Sequence, residues 1–175
     1  MNGSLLQSDR VRLRPLEPED LELLYTIEND TQLWDYSCTN VPYSRYALKQ
    51  YIASTTNDIY ADRQLRLIVE HAATHETLGI ADLANFDPLN LRAEIGLLII
   101  AKCRRQGYGT EALHELCQYA KERLLIHQLY AYIANENTSC NALFDTMHFQ
   151  LAALLPEWFH HADGYSDARL YTRVF

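Results

Sequence analysis

Apolar and polar positions change period several times along this chain, and each change predicts an element. Ala93 to Ile100 is short and almost wholly apolar, which predicts a strand buried on both faces. From Gly109 the period lengthens: Ala112, Leu113, Leu116, Cys117, Ala120 and Leu124 recur at helical spacing, with Glu111, Glu115, Gln118 and Lys121 between them. That is an amphipathic helix of about four turns. Upstream, Val11 to Arg14 alternates and stops at Pro15, a first strand that could begin as early as Leu5. Pro18 can open a helix, Glu19 and Asp20 suit its first turn, and Leu21, Leu24 and Ile27 mark its buried side, with an end near Asn29. Thr31 to Pro42 reads as irregular, and Ser44 can cap a second helix with Ala47, Leu48, Tyr51 and Ile52 inside.

Leu65 to Glu70 and Leu78 to Leu83 are two strands whose short polar connection implies an antiparallel hairpin, with His71 and His75 as solvated turn residues. A loop from Asn85 to Arg92 leads into the apolar strand. Leu129 to Ile133 follows the long helix, so a strand, helix and strand unit predicts parallel pairing through a right-handed crossover. Asn137 or Thr138 can cap a short helix running through Met147. A sixth strand from about Gln150 to Leu155 comes next, and Asp163-Gly164 predicts a turn between Glu157 to His160 and a last strand, Ala168 to Val174. No internal repeat is present.

The chain of 175 residues reads as one domain, 1–175, with 48% hydrophobic and 22% charged residues, enough for a core without staples. No basic stretch followed by an apolar core opens the sequence and no apolar run approaches about 18 residues, so neither export nor membrane insertion is expected, and the cytoplasm is the default. Cys38, Cys103, Cys117 and Cys140 lack metal-ligand spacing and read as core thiols, so no metal is expected. The net charge of −8 argues against a nucleic-acid surface and suits a cationic substrate.

The candidate chemistry lies between the apolar strand and the long helix. Helix starts leave N–H groups without intrahelical partners, Gly107 and Gly109 let a backbone approach a ligand closely, and Arg104 and Arg105 add positive charge. A pyrophosphate fits such a turn. A Walker loop is excluded because no Lys follows Gly109. The dinucleotide pattern Gly107-x-Gly109-x-x-Ala112 matches, yet only about 65 residues follow and no acid stands about 20 residues on at a strand end.

Arg104-Arg105-Gln106-Gly107-Tyr108-Gly109 resembles the [QR]-x-x-G-x-[GA] acetyl-CoA loop of the GNAT N-acetyltransferases. The order of elements from about Val11 onward resembles that family too, as do Ala93-Glu94-Ile95-Gly96, the glycine of Leu78-Gly79-Ile80, Asn137 before a short helix, and Phe149 after it. Asp163-Gly164-Tyr165-Ser166-Asp167 looks most like the spermidine and ribosomal-protein acetyltransferase branches. The resemblance implies an α/β (α+β) fold with a mixed, mostly antiparallel sheet of about seven strands flanked by about four helices. It implies an N-acetyltransferase that moves an acetyl group from acetyl-CoA directly to a primary amine, either a small molecule such as a polyamine or a peptide N-terminus, and it allows a homo-oligomer.

Residue by residue, the resemblance assigns the cosubstrate to Leu97, Leu98 and Ile99 of the strand, to Arg104, Arg105, Gln106, Gly107, Tyr108, Gly109 and Thr110 of the turn, and to Asn137 and Phe144. A backbone N–H of the strand, placed at Leu98, would hold the acyl oxygen. Trp34, Asp35 and Tyr36 would wall the acceptor site, and Asp82 and Glu94 would hold the amine, with Glu28 and Asp30 as further acidic candidates. Glu94 is the candidate base; pairing with Arg92 or holding a substrate is its other reading. One departure stands out: relatives carry a Tyr acid seven residues after the Asn, where this chain has Phe144, and their following glycine is His148 here. A CoA-binding sensor or structural protein with weak catalysis is therefore the alternative.

Overall fold

The computed structural model describes residues 6–34, 41–161 and 163–175. The first strand, β1 (Val11–Pro15), tolerates its terminal proline because it lies at a sheet edge. A single 3-10 turn at Pro18–Asp20 then leads into α1 (Leu21–Glu28), and a one-turn helix, α2 (Thr31–Trp34), occupies part of the stretch expected to be irregular. The Ser44 hydroxyl accepts from the Ala47 N–H at 3.1 Å and starts α3 (Arg45–Ser54), as its sequence predicts. Another single turn, α4 (Ile59–Asp62), was not expected; the Asp58 carboxylate accepts from the Tyr60 N–H at 2.8 Å and caps it.

The hairpin of β2 (Leu65–His71) and β3 (Thr77–Asp87) leads to β4 (Arg92–Ile99), then α5 (Tyr108–Glu122), β5 (Gln128–Ala134), α6 (Thr138–Thr146), β6 (Gln150–His161) and β7 (Gly164–Val174). Strand β3 runs four residues past Leu83 before Asp87 turns the chain by accepting from the N–H groups of Leu89 and Asn90. Nor does β6 end at Leu155: it continues through Pro156 as one strand with a register shift between Leu155 and Phe159. Its partner β7 begins at Gly164 rather than at Ala168.

The seven strands lie in the order β1-β2-β3-β4-β5-β7-β6, and only the β4–β5 pair is parallel. One face carries α5, whose Ala112, Leu113, Leu116, Cys117 and Ala120 are buried against β-strand residues such as Leu67, Ile95, Leu129 and Ala131. Each fully buried leucine of that stripe contributes about 1.5–3 kcal/mol. On the other face Leu24 of α1 with Leu48 and Ile52 of α3 cover Ile68 and Ile80. This face also holds an ion cluster. The Glu70 carboxylate, 3% exposed, accepts from Arg14 Nε at 2.8 Å and lies 3.1 Å from His75 Nδ1, while Arg14 forks onto Asp20. His75 is exposed in the turn, as expected, and its ring also partners this buried carboxylate.

Strand β4 departs from expectation in the way that matters most. It pairs with β3 from Arg92 to Ile99 but with β5 only over Arg92–Gln128, Ala93–Leu129 and Glu94–Tyr130. Beyond Glu94 the two parallel strands separate, so Leu97, Leu98 and Ile99 are half-buried rather than sealed on both faces. Their apolar side chains line an opening in the sheet.

Candidate active site

Two groups of residues meet at that opening. On the helical side, the turn from Arg104 to Thr110 brings the chain from β4 into α5. Arg105 has φ 61° and Gly107 φ 87°, so two left-handed residues swing the backbone into the helix. Glycine suits position 107 because its φ of 87° is one that residues with a Cβ rarely adopt; a Cβ there would also displace the end of the Arg10 side chain, 2.9 Å away. The Gly107 carbonyl accepts from Thr110 N–H at 3.1 Å and Glu111 N–H at 3.2 Å, which closes the first turn. The preceding helix-start N–H groups face outward with the positive end of the dipole.

The turn is held by residues far away in the sequence. Arg10 donates from Nη1 to the Gln106 carbonyl at 3.1 Å and from Nε to the Glu111 carboxylate at 2.7 Å, and its guanidinium lies over the Tyr108 ring. Ser8 Oγ donates to the same carboxylate at 2.7 Å. Burial alone would push the Glu111 carboxyl up, but the bonds from Ser8 and Arg10 hold it below the usual carboxylate range. Gln106 ties back to the Lys102 carbonyl, and Arg104 Nε donates to the Ile99 carbonyl at 2.8 Å. The Arg104 and Arg105 side chains are otherwise exposed, as anion-binding groups must be. Gly109 sits over the strand, with Ile99, Leu97 and Leu143 side chains 3.6–3.7 Å from the place where its Cβ would be.

The strand's own donors follow from its register. Ile100 N–H donates to the Leu78 carbonyl, and an antiparallel ladder alternates, so Leu98 is on the side bonded to β3. Leu97 and Ile99 direct their backbone groups to the open side, and the Arg104 bond to the Ile99 carbonyl agrees with that parity. The expectation that the Leu98 N–H holds an acyl oxygen is therefore corrected: Leu97 is the first open-side donor beyond the Glu94–Tyr130 pair. Chain geometry, not side-chain identity, decides this.

On the opposite face Glu94 and Tyr130 are the last paired residues before the opening. Asn85 Nδ2 donates to Glu94 Oε2 at 2.8 Å and orients the carboxylate. Burial first, and the Glu94 charge with it, push the Tyr130 hydroxyl above its ordinary value. Asp82 lies one strand away, opposite Gly96, but Arg66 Nε donates to it at 2.8 Å while Arg66 Nη1 donates to Glu28 at 2.7 Å. Asp82 is thus a bridged carboxylate. Trp34 joins the same corner through an indole N–H donated to the Glu28 carbonyl at 2.9 Å. Asp35 and Tyr36, and Cys38 with them, lie outside the described residues.

Asn137 caps α6, accepting from the Cys140 N–H at 3.2 Å. Phe144 is 2% exposed, with its ring against Phe149 at 4.7 Å and Tyr171 at 5.8 Å. The expectation that it lines the cofactor cleft is corrected as well. A ring without a hydroxyl has no polar atom to keep near a thioester and packs into the core, and Leu143 is the α6 side chain that reaches Gly109. Burial pushes the Cys117 and Cys140 thiols up to about 11, so neither is an activated nucleophile. Among the described residues no cluster of His, Cys, Asp and Glu could hold a metal, and no helix is long and apolar enough to cross a membrane.

Residues 10–150 match the family model described as the acetyltransferase (GNAT) domain. The chain belongs to the GNAT acetyltransferase family. It is accordingly an N-acetyltransferase by family, with acetyl-CoA as cosubstrate. It is 24% identical over 172 residues to the uncharacterized N-acetyltransferase YoaA of Bacillus subtilis (strain 168), covering 97% of this chain and 96% of that protein. It is 25% identical over 158 residues to spermidine N(1)-acetyltransferase of Escherichia coli (strain K12), covering 90% and 82%. The solved spermidine N-acetyltransferase of Vibrio cholerae in complex with CoA and spermine shares the fold, with a TM-score of 0.85 over 95% of this chain and 96% of that one at 21% identity. The GNAT motif was legible, but its supports were not: Arg10 and Ser8 stand about a hundred residues before the turn, and no local pattern marks them. Tyr130 could have been singled out by the alternation of Leu129, Tyr130, Ala131 and Tyr132 about a buried strand.

Proposed function

We propose that this GNAT domain, acting as one unit in the cytoplasm, moves the acetyl group of acetyl-CoA to a primary amine by direct transfer. The observation that carries the reading is the opening of β4 from β5 at the Glu94–Tyr130 pair, beside a helix start furnished with two exposed arginines. The phosphates of CoA would lie on the Arg104–Thr110 turn, and the pantetheine arm would run along Leu97 and Ile99 towards Asn137. The Leu97 N–H would donate to the acyl oxygen as negative charge develops there.

An amine enters from the other face of the sheet, where Glu94 takes a proton from the ammonium. The freed nitrogen attacks the thioester carbonyl, an N–C bond forms, the nitrogen gives its second proton to water, and the C–S bond breaks. CoA leaves as a thiolate of pKa about 8.5 and takes its proton from water, since Phe144 has none to give. Glu94 then returns its proton to solvent. This favours an enzyme over a CoA-binding sensor, because the carboxylate and the backbone donor sit on the two sides of one opening.

The test is release of free CoA thiol from acetyl-CoA across an amine panel, with Glu94→Gln as the probe. The variant keeps the shape and removes the base, so turnover falls most at low pH, where little free amine exists, and recovers as pH approaches the amine's own pKa of about 10. A parental rate and pH profile would remove Glu94 from the chemistry.

A further inference from the structure

A long edge strand with a kink raises the question of what the kink is for. Between Leu155 and Phe159 the β6–β7 ladder loses register, and Glu157 takes φ 51°, a left-handed conformation that a non-glycine residue adopts at a cost. The Asp167 carboxylate secures it by accepting from the Glu157 N–H at 2.9 Å. The bulge aims Trp158 across β7, so that its ring stacks on Tyr132 of β5 at 5.1 Å and an interplanar angle of 19°. Trp158 remains 51% exposed. Tyr130 adjoins edge-on, 5.8 Å from Tyr132.

These rings share a face with the reactive centre. Tyr130 is paired with Glu94, and Tyr132 is the next residue on that side of β5, beyond the point at which β4 departs. Along a strand the two positions are separated by roughly 7 Å. A carboxylate therefore stands at one end of an aromatic strip and a half-exposed indole at the other. Of the acids on this side, Asp82 and Glu28 are already bridged by Arg66.

We propose that Tyr130, Tyr132 and Trp158 form an aromatic subsite that stacks a planar ring of the acceptor, making the preferred substrates small primary amines with a ring two or three carbons from the nitrogen. This rests on the acetyltransferase reading above and narrows its substrate. Stacking and edge-on contacts between rings favour such an acceptor over an alkylamine of equal charge.

The test compares phenethylamine, butylamine and spermidine as acceptors for the parent and for Trp158→Ala, a change at a half-exposed position. We expect kcat/KM for phenethylamine to exceed that for butylamine by tenfold or more in the parent and to come within threefold of it in the variant, with butylamine rates changed less than twofold. Asp167→Ala, which releases the Glu157 N–H, should lower the same ratio. Equal selectivity in parent and variant, or spermidine as the fastest acceptor in both, would overturn the proposal. Fluorescence separates the subsite from the activity. In CoA-saturated protein, phenethylamine should quench indole emission saturably in the parent and not in Trp158→Phe, even if no amine is acetylated. Equal quenching in both proteins, or none in either, would also overturn it.

Discussion

Gly79→Ala tests how the sheet positions the open-side donor. Gly79 lies on β3 opposite Ile99, and a Cβ built there would stand 1.9 Å from the Leu98 carbonyl oxygen. That oxygen is backbone and cannot rotate away. Relief to an ordinary contact of about 3.2 Å requires β4 to move by roughly 1.3 Å, at a cost of about 1–3 kcal/mol for overpacking. In a chain of this length that lowers Tm by about 2–12 °C. The moving segment contains the Leu97 N–H, and a misplacement near 1 Å costs roughly a hundredfold in rate. The CoA turn is tied to Arg10 as well as to β4, so CoA affinity should fall by much less than the rate. Steady-state kinetics with the best acceptor, calorimetric CoA titration and thermal melts together check this. A variant with parental kcat and a Tm within 1 °C would refute both the register argument and the assignment of the acyl-oxygen donor.

Three other predictions follow from particular contacts. The pair Arg104→Glu with Gly109→Glu places like charge against the phosphates and should lower CoA affinity by at least tenfold in isothermal titration, while unchanged affinity would displace the site. Phe144→Tyr should not raise turnover: it buries a hydroxyl among Phe149 and Tyr171 and costs about 1–3 kcal/mol in denaturant melts, and a rate gain would instead place the ring at the thioester. Burial would push the Glu70 and Asp20 carboxyls up, but hydrogen bonds, from His75 and Arg14 to Glu70 and from Arg14 to Asp20, hold both below the ordinary range. Their stabilisation is present above the unfolded-state values near 4 and lost as pH falls through the lowered folded values. Melts of Glu70→Gln should therefore show lower stability at pH 7 and a shallower loss on acidification than the parent.

What could be read along the chain were features set by near neighbours. The Ser44 and Asn137 caps, the stripe of α5, the β2–β3 hairpin and the glycine turn each depend on residues a few positions apart, and each formed where the pattern placed it. Helical periodicity and cap chemistry are local, so no tertiary contact was needed to find them. Tertiary structure decided how those pieces act on one another. The apolar run of β4 has the composition of a sealed strand, and only the separation from β5 turned half of it into a cleft wall. Ladder parity then moved the donor from Leu98 to Leu97, because the side of a strand on which an N–H points depends on the partner's register. Core packing withdrew Phe144 from the cleft, and Arg66 bound the carboxylate that Asp82 seemed to offer. Arg10 reached the glycine turn, and a bulge carried Trp158 to Tyr132, across sequence distances that no local pattern spans. Pattern reports which face a residue occupies; only the folded chain reports what it meets there.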